Sequence, residues 1–218
     1  MSKTLYSKSK RIFDIFFSIL LIVIFSPLLL VICILIKLTD GGEIFVKDPV
    51  RLGKDEKEFQ MAKFRTMIPN AHRDILENEE YAELKRKWEK NGNKLRIDED
   101  IRITKVGKFL RKTDLDELPQ IFNVLNGDMS MVGPRPPYKD ELERHFKKYP
   151  GDKKYLKKIF SVKPGITGIW QVSGRNEITF SDRLKMDSEY STNYSFLLDL
   201  KILLRTPYVV LTRKGAYE

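Results

Sequence analysis

The chain of 218 residues is poor in the residues that build disulfide and zinc folds. Its single cysteine, Cys33, excludes an internal disulfide and with it an extracytoplasmic scaffold held by cross-links. That thiol lies in an apolar run, where it serves as a small hydrophobe. The two histidines, His72 and His145, stand isolated, so no Cys/His metal cluster can form from the sequence. No internal repeat, Walker phosphate loop or dinucleotide fingerprint occurs. Acidic residues are outnumbered, 30 against 40 basic, for a net charge of +10. Such an excess points to an anionic partner, whether nucleic acid, phospholipid or a phosphorylated substrate, and composition does not choose among them. The length allows one sizeable domain and an anchor.

The one long apolar run lies near the start, after Lys3, Lys8, Lys10 and Arg11. From Ile15 to Ile36 it is interrupted only by Ser18 and the pair Ser26-Pro27. As a straight helix this run would reach roughly 33 Å, enough to cross a hydrocarbon core of about 30 Å. A cleaved signal peptide fits less well, because no A-x-A-like site follows. Pro27 removes an intrahelical bond near the middle of the run, and Ser26 can supply a local substitute. Basic residues flank both ends, Arg11 before and Lys37 after, so the charge rule favours neither a spanning nor a re-entrant helix.

The densest chemistry is in Arg111 to Pro136, RKTDLDELPQIFNVLNGDMSMVGPRP. Leu118, Ile121, Phe122 and Leu125 fall at i, i+3, i+4 and i+7, the stripe of a short helix with one buried face, ended by Gly127. Pro119 is tolerated only in a first turn, which puts Asp116 and Glu117 at the helix N-terminus. Free N–H groups there favour carboxylates and also an incoming phosphate; capping is the plainer role for such a pair. Arg111 and Lys112 lie upstream, and Arg135 stands on a backbone stiffened by Gly133, Pro134, Pro136 and Pro137, suited to bidentate phosphate capture.

Elsewhere the signals are weaker. Thr39-Asp40-Gly41-Gly42 reads as a turn before a short strand, Glu43 to Lys47, ending ahead of Asp48-Pro49. Phe59 to Met67 carries Lys63, Arg65 and Thr66, which by themselves suit a solvated strand face. Asn70 to Asn91 reads as a largely exposed helix with Ile75, Leu84 and Trp88 thinly spaced, closed by Asn91-Gly92-Asn93. Asp98-Glu99-Asp100 caps or solvates a turn rather than binding metal. Lys139 to Lys158 interleaves charge with Phe146, Tyr149, Tyr155 and Leu156, as either an interfacial helix on anionic headgroups or a plain charged surface helix. Three glycines and Pro164 between Val162 and Asn176 indicate a shaped loop in which backbone approaches something closely, or else a tight structural turn with Trp170 in the core. Ser195 to Leu211 is apolar and aromatic, broken at Pro207, and packs on the core or in the membrane interface.

Several of these strings resemble the signature of the monotopic phosphoglycosyl transferases, the bacterial sugar transferase family that starts glycan assembly on polyprenyl phosphate. The resemblance is carried by Leu115-Asp116-Glu117-Leu118-Pro119-Gln120, by Asn123 to Ser130, and by Val132-Gly133-Pro134-Arg135-Pro136. Lys10-Arg11-Ile12-Phe13-Asp14, Lys63-Phe64-Arg65-Thr66-Met67 and PGITGIWQVSGR, from Pro164 to Arg175, extend it over about Lys10 to Leu211. It implies an α+β, mostly helical chain. Residues 1–38 would form a basic lead-in and a membrane helix made re-entrant at Ser26-Pro27. Residues 39–218 would form a small cytoplasmic, membrane-associated catalytic domain with interfacial amphipathic helices, on the cytoplasmic face of the bacterial inner membrane.

The implied chemistry has Asp116 attack the sugar-proximal phosphate of a UDP-sugar, releasing UMP, and polyprenyl (undecaprenyl) phosphate then displace the phosphosugar from the carboxylate. Such transfers initiate exopolysaccharide, O-antigen or glycoprotein glycans. The long segment after Asn70 favours a hexose such as galactose or glucose. Mg²⁺ would sit on Asp116 and Glu117, with Arg111 and Arg135 adding positive charge. Lys63 and Arg65 are carried over as phosphate contacts, and Gln171 and Arg175 as contacts to the nucleotide or its phosphates. Membrane phospholipid is an expected partner, a homodimer is left open, and the apolar anchor argues against nucleic acid. A lipid-binding scaffold and a metal-dependent phosphatase are the rival readings.

Overall fold

The computed structural model describes residues 3–46, 50–71, 75, 77–91, 95–213 and 215. The apolar run lies within α1, Lys3–Asp40, which contains Pro27 and is long and apolar enough to cross a membrane. Strands β1, Arg51–Leu52, and β2, Glu58–Phe59, pair antiparallel, with Arg51 opposite Phe59. Helices α2, Ala82–Lys90, and α3, Lys105–Lys112, follow, and the Thr104 hydroxyl caps α3 by accepting the Gly107 N–H at 2.9 Å. Helix α4, Gln120–Asn126, ends at Gly127, whose φ of 97° is costly for any residue with a Cβ.

Beyond it come β3, Ser130–Val132, the charged helix α5, Lys139–Lys148, and the short α6, Leu156–Ile159. Strand β4, Gly165–Thr167, pairs parallel with β3 and leads into α7, Ile169–Ser173. Helices α8, Phe180–Asn193, and α9, Phe196–Thr212, complete the chain, capped by the side chains of Thr179 and Ser195. The result is mostly helical.

The chain divides into two compact units. The first takes the described residues within 1–25, 47–62 and 119–216. Its core joins Met61, Val124, Met131, Tyr190 and Ile202, with Phe13, Phe17 and Leu21 of α1 laid against it. A neighbouring cluster forms around Leu142, Ile159, Phe160 and Leu184. The close approach expected of the glycine-rich loop is present, and its partner is the Gly133 segment. A Cβ on Gly165 would fall 2.0 Å from the Gly133 nitrogen, and one on Gly133 would fall 2.4 Å from the Lys163 carbonyl oxygen. The two strings therefore meet as β3 and β4 at a separation that excludes side chains.

The second unit takes the described residues within 26–46 and 63–118. Ile32 and Ile36 of α1 are buried there with Phe64 and Leu110. Gly107 touches the backbone of Thr66 so closely that a Cβ would lie 1.9 Å from its carbonyl oxygen.

Five local expectations are corrected or narrowed. Glu43 to Val46 makes an isolated bridge, Phe45 to Phe64, in place of a strand, and Lys47, Asp48 and Pro49 lie outside the described residues. In the segment read as one exposed helix, the described residues Ala71, Ile75 and Glu77 are helical, Asn78 is not, and a 3-10 turn, Glu79–Tyr81, leads into α2; Ile75 is fully buried, and Gly92 and Asn93 lie outside the described residues, as does His72. Of the two roles expected for the acidic cluster, Asp100 takes capping and not solvation: it is buried, its Oδ1 accepts the Arg102 backbone N–H at 3.1 Å, and its Oδ2 lies 2.7 Å from the Arg102 guanidinium. Of the expected stripe, Ile121 is buried and Leu118 and Leu125 are half-buried, but Phe122 is exposed, because α4 also buries Gln120, Asn123 and Val124. Asn123 is drawn inward by bonds to the Ala62 N–H at 2.7 Å and the Gln60 carbonyl at 2.9 Å. Finally, α9 continues through Pro207 to Thr212, since buried Ile202 and Val209 anchor the turns on either side of the exposed proline.

Candidate active site

In the second unit, α3 ends after Lys112, and Asp114 turns the chain through left-handed backbone with φ of 55°. A 3-10 turn, Leu115–Glu117, follows and carries the acid pair. This corrects the expectation of a helix N-terminus. The pair occupies a separate tight turn, while Pro119 is the residue preceding α4. The Asp116 carbonyl accepts the Phe64 N–H at 2.9 Å, which fixes the turn to the segment bearing Lys63.

Asp116 is 3% exposed. The Lys63 Nζ lies 2.7 Å from its Oδ2 and 3.6 Å from Glu117 Oε1. Burial pushes the Asp116 carboxyl above the usual carboxylate range; the Lys63 charge opposes that push and Glu117 adds to it. For Lys63, burial favours the neutral amine, but the charges of Asp116 and Glu117 outweigh it and hold the ammonium above its ordinary value. Arg111 donates Nε to the Thr66 hydroxyl at 2.9 Å, and its charge acts on both Asp116 and Lys63. Arg65 is directed to backbone, donating to the carbonyls of Glu43 at 2.5 Å and Met67 at 2.9 Å. Of the predicted residues, this unit therefore gathers Asp116, Glu117, Lys63 and Arg111 and turns Arg65 to a bracing role.

The first unit holds Arg135, Gln171 and Arg175. The Arg135 guanidinium lies 5.6 Å from the Trp170 ring centre. Gln171 is buried, donates Nε2 to the Ile166 carbonyl at 3.3 Å, and leaves its Oε1 without a hydrogen-bond partner among the described residues. Arg175 opens a 3-10 turn with φ of 50°.

Two residues of this unit escaped the sequence reading. Arg183, buried on α8, donates Nη2 to the Arg135 carbonyl at 3.0 Å and sits 5.1 Å from the Trp170 ring. Asp187 lies 3.7 Å from the Arg183 Nε, and the Arg135 backbone N–H is hydrogen-bonded to it. Arg135 is thus held through both its carbonyl and its amide. Burial raises Asp187 to about 7, against the pull of Arg183 and that amide. The i, i+4 spacing of Arg183 and Asp187 was the available signal, because it puts both on one helix face.

A family model described as bacterial sugar transferase matches residues 5–213. The chain belongs to the bacterial sugar transferase family. It is 45% identical over 211 residues to the undecaprenyl-phosphate galactose phosphotransferase of Salmonella typhimurium, covering 95% of this chain and 41% of that one. It is 39% identical over 213 residues to the UDP-glucose:undecaprenyl-phosphate glucose-1-phosphate transferase of Klebsiella pneumoniae, covering 95% of this chain and 41% of that protein. With the exopolysaccharide production protein ExoY of Sinorhizobium fredii the identity is 39% over 209 residues, 96% of this chain and 88% of the relative. The chain thus spans about two fifths of the length of the first two relatives and most of the third.

The acid pair also suits a hard divalent cation. Asp116 and Glu117 offer adjacent oxygen donors with no thiolate or imidazole beside them, and Mg²⁺ typically takes one or two protein carboxylates and completes its shell with phosphates and water. Among the described residues no group of three His, Cys, Asp or Glu is gathered for metal, so a cation here would rely on substrate oxygens.

Proposed function

We propose that the chain transfers a hexose 1-phosphate from a UDP-sugar to polyprenyl phosphate and releases UMP. The observation that carries this reading is the buried Asp116, held 2.7 Å from Lys63 beside Glu117, in a chain of the bacterial sugar transferase family. A carboxylate kept from water, with a fixed cation against one oxygen, is placed to act as a nucleophile through the other.

In the first displacement an Asp116 oxygen bonds to the sugar-proximal phosphorus, and the bridging bond to the other phosphate breaks, its electrons leaving with UMP. In the second, an oxygen of polyprenyl phosphate bonds to the same phosphorus, the acyl phosphate bond breaks, and Asp116 returns as a carboxylate. One anhydride replaces another, so no separate energy source is required. Lys63 and Arg111 temper the repulsion between an anionic nucleophile and an anionic donor. Glu117, longer by one methylene, holds cation or proton beside the reacting carboxylate. Arg135, pinned by Arg183 and Asp187, presents a planar fork for a phosphate. Mg²⁺ on the two carboxylates would supply Lewis acidity to the diphosphate.

The acceptor is a lipid, so the chemistry belongs at headgroup depth. A re-entrant α1, with both ends on the cytoplasmic side of the inner membrane, satisfies this. Its support is twofold: Pro27 interrupts the hydrogen-bond ladder, and both parts of α1 pack on later chain segments, Phe13 and Phe17 in one unit, Ile32 and Ile36 in the other. Many of the other apolar side chains of α1, among them Phe16, Val23, Ile24 and Leu30, are exposed and suit acyl chains.

The test is incubation of detergent-extracted protein with a panel of UDP-sugars. UMP release beyond one equivalent per chain that requires both Mg²⁺ and polyprenyl phosphate supports the reading. A scaffold releases nothing, and a phosphatase needs no lipid acceptor.

A further inference from the structure

The first unit contains a cavity of about 630 Å³ at the base of α1, outside the residues assigned above to the transfer reaction. Its wall carries five cations, Lys8, Lys10, Arg11, Lys54 and Lys163, against one carboxylate, Asp14. Internal partners account for only part of this charge. Lys10 is paired with Asp199 at 2.6 Å. Asp14 accepts the Met131 N–H at 3.0 Å. Arg11 donates to the carbonyls of Val124 at 2.6 Å and Leu125 at 2.8 Å, which orients it without neutralising it.

Lys8, Lys54 and Lys163 make no ion pair among the described residues. The cations are also crowded. The Lys163 Nζ and an Arg11 guanidinium nitrogen each lie 3.3 Å from the point where a Cβ on Gly127 would stand. Burial, then the charges of Arg11 and Lys54, depress the Lys163 ammonium below its ordinary value. Like charges held together beside a cavity are stabilised by an anion within it.

Position and shape narrow the chemistry. The lining of α1 runs from Tyr6 to Asp14, and the apolar run begins at the next residue, Ile15. With the run in the bilayer, the cavity lies at the level of lipid phosphates. Ile12, Val132 and Val162 give it an apolar wall beside the lysines, and its volume is in the range of small-ligand sites.

We propose that this cavity binds a phosphoryl anion, borne by the headgroup of an anionic membrane phospholipid. It would seat the base of α1 on the membrane independently of the acid pair. The test uses the full chain, delipidated in mild detergent and exposed to phosphatidylglycerol, phosphatidylcholine or inorganic phosphate, with bound molecules counted by native mass spectrometry.

Phosphatidylglycerol should be retained about tenfold over phosphatidylcholine, and the double variant Lys54→Ala/Lys163→Ala should reduce retention to the phosphatidylcholine level. Because neither lysine side chain makes an ion pair or hydrogen bond among the described residues, and Lys163 feels Asp14 and Asp128 only at longer range, the fold should survive. The Lys54→Arg/Lys163→Arg pair should keep retention, and Lys153→Ala, at an exposed position elsewhere, should change nothing. Displacement of phosphatidylglycerol by equimolar inorganic phosphate would keep the anion site and name free phosphate as its source. Equal retention of the two lipids, or unchanged retention in the folded double alanine variant, would overturn the proposal.

Discussion

Replacing Lys63 with methionine keeps the length and apolar stem of the side chain and removes the ammonium 2.7 Å from Asp116. Asp116 is 3% exposed, so water cannot take over the lost interaction, and Glu117 adds a second negative charge. Breaking one side of a buried pair costs about 3–5 kcal/mol. The Lys63 side chain is 29% exposed, so partial screening places the expected cost at the lower end, about 3 kcal/mol. For a chain of this size that corresponds to a fall in Tm of roughly 6–12 °C. Among molecules that remain folded, the anionic donor meets two carboxylates with one cation fewer. A deficit of about 3 kcal/mol in the transition state would slow UMP release by roughly two powers of ten. The assay combines thermal unfolding in detergent with initial rates of UMP release at a temperature where the variant is folded. An unchanged Tm together with an unchanged rate would refute the reasoning, because it would mean that Lys63 does not carry the charge balance at Asp116.

Arg135→Lys keeps the charge and loses the planar fork, so kcat/KM for the UDP-sugar should fall by about 1.5–3 kcal/mol in free-energy terms; unchanged kinetics would make Arg135 structural. Asp187 has its proton affinity raised from the ordinary 3.8 to about 7, so between those values the folded chain holds a proton that the unfolded chain releases, and stability falls as pH rises through that window. The full fall is roughly 4 kcal/mol, and Asp187→Asn, which cannot titrate, should flatten that part of the Tm-against-pH curve; parallel curves for the two proteins would contradict it. Pro27→Leu restores the hydrogen-bond ladder of α1 and should favour a spanning helix. Cysteine-accessibility labelling at Ser2 should report the cytoplasmic side in the parent and the opposite side in the variant, and a periplasmic label in the parent would end the re-entrant reading.

The neighbourhood of the acid pair and Arg111 was legible because its string combines charge, proline and glycine in an order that plain helices do not need, whereas Lys63, in a string with neither proline nor glycine, was marked only by the family resemblance. The pairing of β3 with β4 was half legible. Three glycines announced a close approach, but naming Gly133 as the partner requires a contact between segments about thirty residues apart, which no local pattern carries. Periodicity misled at α4, where buried hydrogen bonds from Asn123 turn the helix and leave Phe122 in solvent. It failed again around Ile75, whose burial comes from tertiary packing within a charged stretch. Arg183 and Asp187 were passed over because an arginine and an aspartate one turn apart look like any surface ion pair, and only burial distinguishes them.

The identity of the nucleophile is tested most directly by mass spectrometry of protein quenched after mixing with a UDP-sugar in the absence of the lipid acceptor. The account predicts a phosphosugar adduct on the peptide containing Asp116, localised to that residue. The adduct should be abolished in Asp116→Asn and retained at trace level in Glu117→Gln. An adduct on Glu117 or on a histidine, with Asp116 unmodified, would contradict it.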